Sequence, residues 1–163
     1  MAVTQQLARL SADQLAACRR SAEELDNLCS FELIPSSDHL DLDWSPAPIL
    51  RACEISHVTR ASLTTLRRAF TGDAEINPAY REEHPVTALE PDAVADVAKL
   101  LGNMDPGVAL AAVPLEAAAA LATLRMPRFD GHPRAYLHHH LAAVRDFYLY
   151  AARQRLAIAL WWD

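Results

Sequence analysis

The sequence predicts an α+β fold: a small mixed β-sheet with helices packed over it. Three observations predict it. The N-terminal segment alternates in polarity, residues 86–89 (VTAL) form a short β-prone run, and the C-terminal LAIALWW is unbroken apolar sequence. Long stretches of helical periodicity lie between them, the pattern of an α+β layering. With 163 residues, residues 1–163 read as a single domain. A domain of that size buries roughly 68–70% of its unfolded surface and needs no disulfide or metal to hold it together.

Taken in order, residues 2–10 alternate through Val3, Gln5, Leu7 and Arg9, which predicts a short strand. Ser11 and Gln14 stand at capping-box spacing, and Leu15, Cys18, Ala22 and Leu25 recur at helical intervals, predicting a helix over 12–29. Residues 30–48 read as loop, since IPSSDHLDLDWSPAP holds three of the 10 prolines and three aspartates. Helices follow near 48–56 and 60–70, the second stopped by Gly72. Residues 73–85 are polar and irregular, and 86–89 is a strand. Pro91 suits the first turn of the next helix, Asp92 suits its positive end, and Val94, Val97, Ala98 and Leu101 form its inner face. Pro106 and Pro114 open two further helices, the second carrying the alanine-rich stretch, which is expected to be buried. The longest helix spans 133–154. Its two adjoining stripes, Leu137-Leu141-Val144-Tyr148 and Tyr136-His140-Ala143-Phe147, predict packing on two sides. LAIALWW then suits a central strand, with Leu156, Ile158, Leu160 and Trp162 facing one way and Ala157, Ala159 and Trp161 the other.

Charge narrows the function. Fifteen basic residues against 21 acidic ones give a net charge of -6, which repels phosphate backbones and anionic lipid. The doublets Arg19-Arg20 and Arg67-Arg68 are too short to reverse that locally, so neither nucleic acid nor membrane is an expected partner. The longest apolar run is far short of the ~20 residues of a membrane helix, and the N-terminus lacks the basic and apolar regions of a signal peptide. Cys18, Cys29 and Cys53 are odd in number and form no C-x-x-C, which points to free thiols in a reducing compartment. These features predict a soluble, cytoplasmic, bacterial protein.

The motifs supply no familiar chemistry. His138, His139 and His140 are consecutive, so on a helix they splay by about 100° each and cannot share an ion; the expectation is two exposed histidines and one packed beside Tyr136. No two histidines stand at the i, i+4 spacing of metal-binding helices, so no metal and no cofactor is expected. G-x-S-x-G and a glycine-rich phosphate loop are both missing from the sequence, and no catalytic residue is assigned. Cys18 falls on an apolar helix face, while Cys53 and His57 stand at i, i+4, a spacing that can activate a thiolate. Two clusters stand out. In His39-Leu40-Asp41-Leu42-Asp43-Trp44, strand alternation would pair Asp41 with Asp43 as an acid–base couple, against the simpler reading of a turn or cap. In residues 125–134, Arg125, Arg128, Asp130, His132 and Arg134 could receive an anion or an acidic side chain, against the simpler reading of a solvated loop.

Five stretches together resemble the YfbM-like family, small bacterial proteins without an established biochemical function. They are Ser11-Ala12-Asp13-Gln14-Leu15 after a short strand, Leu40-Asp41-Leu42-Asp43, the helix end at Leu66–Gly72, Leu89-Glu90-Pro91-Asp92-Ala93-Val94, and the helix from Leu141 through Tyr148, Ala151 and Ala152 to the apolar terminus. The resemblance spans nearly the whole chain and implies a compact α+β fold. It also implies an insertion around 44–60, where Trp44-Ser45-Pro46 replaces the family's direct K-x-W helix start. The family's I-Y-P…W element is reduced to Met126-Pro127…Phe129.

Two functions follow as expectations. One is a non-catalytic binding protein, of the immunity type that neutralises a toxin, steered by its acidic charge to a basic protein partner. Its candidate binding residues are Asp38, Asp41, Asp43, Trp44, Arg128, Asp130 and His132. The alternative is a small enzyme acting on a metabolite through Asp41, Asp43 and His57, or through the 125–134 loop.

Overall fold

The computed structural model of the chain describes residues 3–80 and 84–163. Strands β1 (Gln5–Leu10), β2 (His39–Asp41), β3 (Ala74–Glu75), β4 (Thr87–Leu89) and β5 (Ala157–Trp162) form one sheet in the order β2-β1-β5-β4-β3. Every pairing among these strands is antiparallel, so the expected mixed sheet is corrected. Alternation along a strand decides which face it buries, but says nothing about the direction of its neighbour. The α+β class is as expected.

Helices α1 (Ala12–Arg20) and α2 (Ala22–Cys29) cover one face of the sheet. Their Leu15, Cys18, Leu25 and Leu28 pack with Ala8, Leu10, Ala157, Ala159 and Trp161. The other face carries α3 (Pro46–Ile55), α4 (Arg60–Thr71), α5 (Pro91–Gly102), α6 (Pro106–Ala109), α7 (Ala117–Leu124) and α8 (Pro133–Arg153). There Leu7, Ile158 and Leu160 join the larger core with Leu66, Val94, Val97, Leu141, Val144 and Tyr148. The two faces of β5 divide as its sequence predicts, the small alanines lying under α1 and α2. No helix among the described residues is long and apolar enough to cross a membrane.

The helix expected over 12–29 is two helices. Ser11 and Gln14 complete a capping box at the start of α1, the Ser11 oxygen accepting from the Gln14 N–H at 3.2 Å and the Gln14 side chain accepting from the Ser11 N–H at 2.8 Å. Ser21 then takes an extended conformation and caps α2, its hydroxyl accepting from the Glu24 N–H at 3.3 Å. The alanine-rich helix is also corrected. It starts at Ala117, where Glu116 rather than Pro114 supplies the cap by accepting from the Ala118 and Ala119 N–H groups at 2.9 and 2.7 Å. Only Ala120 and Leu124 of this helix are buried. Alanine favours helix formation, but a methyl group alone carries too little area to force burial.

Buried polar side chains finish α4. Its last turn leaves the Ala69 and Phe70 carbonyls without helical partners. Tyr148, fully buried on α8, donates its hydroxyl to Ala69 O at 2.9 Å, and Gln5 of β1 donates its amide to Phe70 O at 2.6 Å. Gly72 then turns the chain toward the sheet at φ 65°. On the same face of β1, the Arg9 guanidinium lies 4.6 Å from the Phe147 ring centre and 4.2 Å from that of Tyr150. It pairs with Asp38 at 2.8 Å, tying β1, α8 and the turn before β2 together.

Candidate functional site

The chain leaves β2 in a tight turn. Asp41 accepts the Asp43 N–H on its carboxylate at 2.7 Å, and Asp43 adopts the left-handed conformation at φ 52°, which aspartate tolerates better than most residues. Alternation therefore stops at Asp41, and the turn reading replaces the strand-face pair of carboxylates. Leu42 is buried in the larger core and donates its N–H to Gln5 O at 2.8 Å, so the turn is anchored on β1. It lifts Trp44 to the surface, 51% exposed, with its indole N–H fixed on Val3 O at 3.0 Å.

A second segment faces it. Helix α7 ends at Arg125, which takes the left-handed conformation at φ 58° and reverses the chain. Met126 turns inward and is buried, and Phe129 packs its ring 4.6 Å from that of Tyr136 on α8. Tyr136 joins the two segments by donating its hydroxyl to the Asp43 carboxylate at 3.0 Å. Between them lies an open groove of about 430 Å³ lined by Trp44, Pro48, Arg125, Met126, Pro127, Arg128 and Phe129. Both aromatic walls are thus pinned, one through Val3 and the other through Tyr136 and Asp43.

Burial, reinforced by the Asp43 carboxylate that accepts its hydrogen bond, pushes the Tyr136 hydroxyl well above its usual value of 10, so it remains a donor. His140 packs 4.5 Å from the Tyr136 ring. Burial, and secondarily His139, pushes it below its usual 6.5, with Asp43 and Asp41 opposing. Arg125 and Arg128 are exposed, and their guanidinium groups make no ion pair or hydrogen bond among the described residues. The groove can accordingly bury apolar surface beside two unspent positive charges.

Of the expected site residues, the structure brings Trp44 and Arg128 to one groove, with Asp41 and Asp43 in the turn that shapes it. Asp38 is committed to Arg9 instead. Asp130 is exposed, makes no ion pair among the described residues and does not line the groove. His132 lies on a separate surface with Leu115, Arg134 and His138. His57 follows the end of α3 in a left-handed conformation and lines a different depression with Val58, Asn103 and Asp105. It is therefore not on one helix with Cys53, and burial, aided by Glu54, pushes the Cys53 thiol up to about 11, the reverse of activation. Cys18 and Cys53 are buried free thiols. His138 and His139 are exposed while His140 packs on Tyr136, as consecutive helical positions predict. Among the described residues no group of three or more His, Cys, Asp or Glu side chains could hold a metal ion. Tyr136 and His140 are the parts of the site that the sequence concealed, because their spacing is also that of an ordinary inward stripe.

No family model and no curated protein matches the sequence. Among solved structures, the chain is similar to the crystal structure of YfbM from Escherichia coli, a protein of unknown function. The TM-score is 0.65 at 14% identity, over 96% of this chain and 98% of that one. The chain therefore has a YfbM-like fold over nearly its whole length, as the resemblance implied.

Proposed function

We propose that the chain is a non-catalytic binding protein that holds a partner protein at the groove between Trp44 and Phe129. One observation carries the reading: an exposed indole is held in a fixed orientation beside Pro48, Met126 and Phe129, with Arg125 and Arg128 at hand. Trp, Tyr, Phe, Met and Arg are the residues enriched at the centres of protein interfaces. Rigid aromatic walls lower the ordering cost of association, which otherwise consumes much of the energy of contact. Over longer range the net charge of -6 draws in a partner with basic surface elsewhere, an influence screened beyond about 8 Å at physiological ionic strength.

In its narrower form the partner is a toxin and the chain an immunity-type protein that masks it. The test is affinity capture from cell extract at low salt by the full chain and by Trp44→Ala in parallel. A stoichiometric protein retained by the parent chain and reduced at least about tenfold with the variant is expected. Equal retention by the variant overturns the groove as the contact, and no retained protein overturns the binding role. For the narrower form, growth arrest caused by the captured protein should be relieved by the parent chain and not by Trp44→Ala.

A further inference from the structure

Resting on that reading, we propose that the groove selects an extended peptide segment in which a large apolar side chain is flanked by carboxylates. The apolar part follows from the lining. Trp44 has no free donor, since its N–H is spent on Val3 O, and Pro48, Met126, Pro127 and Phe129 offer almost nothing but hydrocarbon and ring faces. An apolar side chain entering here is driven by burial alone. The groove is open along the surface and walled by exposed residues on both sides, a form that admits a side chain projecting from a passing backbone.

The charged part follows from the arginines. Arg125 and Arg128 stand three residues apart on one short reversal, both exposed, and neither guanidinium donates to any acceptor among the described residues. Arg9, Arg19, Arg51, Arg67, Arg68 and Arg145 have carboxylate partners, and of the arginines without one only these two line the groove. In a molecule whose net charge is -6, two guanidinium groups are thereby placed at the rim of an apolar groove. Guanidinium groups recognise carboxylates with directional, often bidentate hydrogen bonds. Of the nearby acidic side chains, Asp43 accepts from Tyr136, Asp41 accepts from the Asp43 backbone, and neither of them nor Asp130 lines the groove. The complementary segment therefore carries Asp or Glu on one or both sides of a Leu, Phe, Tyr or Trp.

Selection from a phage-displayed library of random octapeptides tests this with the full chain, with Trp44→Ala, and with the double charge reversal Arg125→Glu and Arg128→Glu. All three substitutions fall on exposed positions, and far-ultraviolet circular dichroism verifies that each variant is folded. The parent chain should enrich peptides with an apolar residue next to Asp or Glu, and Trp44→Ala should enrich none of them. The charge reversal should weaken a selected peptide by about tenfold or more in fluorescence polarisation, and should itself enrich peptides with Lys or Arg at the flanking positions. Peptides that depend on Trp44 but carry neutral or basic flanks overturn this inference and leave the binding role standing. Enrichment that ignores Trp44 overturns both, and no enrichment at all overturns this inference. Binding of dodecanoate at micromolar concentration without peptide enrichment overturns the peptide as occupant.

Discussion

Two imidazoles in this molecule are held short of their protons. His39 lies between Phe31 and Trp161, with ring centres 5.1 and 6.0 Å away, and burial pushes it below the usual 6.5. His140 is shifted in the same direction. In the unfolded chain both take up a proton near 6.5, whereas the folded chain does so only at lower pH, so stability is complete above about 6.5 and declines as pH falls toward the folded values. The urea midpoint is expected to be lower at pH 5.5 than at pH 7.5, and His39→Phe should narrow that difference; identical midpoints would refute the account. Asp73 acts elsewhere on the pH scale, because its hydrogen bonds to Arg68 at 2.8 and 2.6 Å keep it below 3.8. The caps on α4 give a second expectation. Tyr148→Phe and Gln5→Leu each strand a buried carbonyl and should cost about 1–3 kcal/mol in chemical denaturation. Residues such as Asp41, Asp43, Trp44 and Arg128 were legible in the sequence because charged and aromatic side chains stand out against a loop. Gln5, Arg9 and Tyr136 were not, since each occupies a position where alternation or helical spacing calls for an apolar residue. Only the geometry reveals the partner that permits a polar one.

Among the elements, the break at Ser21 shows how two signals can overlap. Ser21 and Glu24 stand at capping spacing, yet Leu15, Cys18, Ala22 and Leu25 keep a continuous helical period through the break, and that period masks the cap. The stop at Gly72 was legible as a helix end, but not its second duty. A Cβ at this position would sit 2.6 Å from Thr87 Oγ1 and 2.8 Å from Thr87 Cβ, on a backbone already at φ 65°. Gly72→Ala should therefore lose at least about 2 kcal/mol through strain and overpacking together. Pairing it with Thr87→Ala should recover part of the loss, and independent effects of the two substitutions would show that the contact is not the cause. Such a close approach between α4 and β4 leaves no trace in local sequence, because it joins residues that belong to different elements.

At the scale of the whole molecule, the strand most readable from sequence is also the one on which the sheet depends. The unbroken run of LAIALWW declared a central position, and β5 indeed pairs with β1 from Leu10↔Ala157 to Gln5↔Trp162 and with β4 from Leu89↔Ile158 to Thr87↔Leu160. The antiparallel direction of its neighbours was not readable, since it is set by the route of the intervening helices. A chain stopped after Gln154 should keep helical circular dichroism but show no cooperative thermal transition, because β1 and β4 then have nothing between them. A sharp transition in that truncated chain would deny β5 its central part. The order of synthesis gives this arrangement a further meaning. Growing at about 5–20 residues per second from its N-terminal side, the chain acquires β1, helices α1 to α8 and β4 before the strand that joins β1 to β4 is made. Until β5 is made, β1 and β4 have no strand between them, so the sheet closes only when the last of its strands arrives.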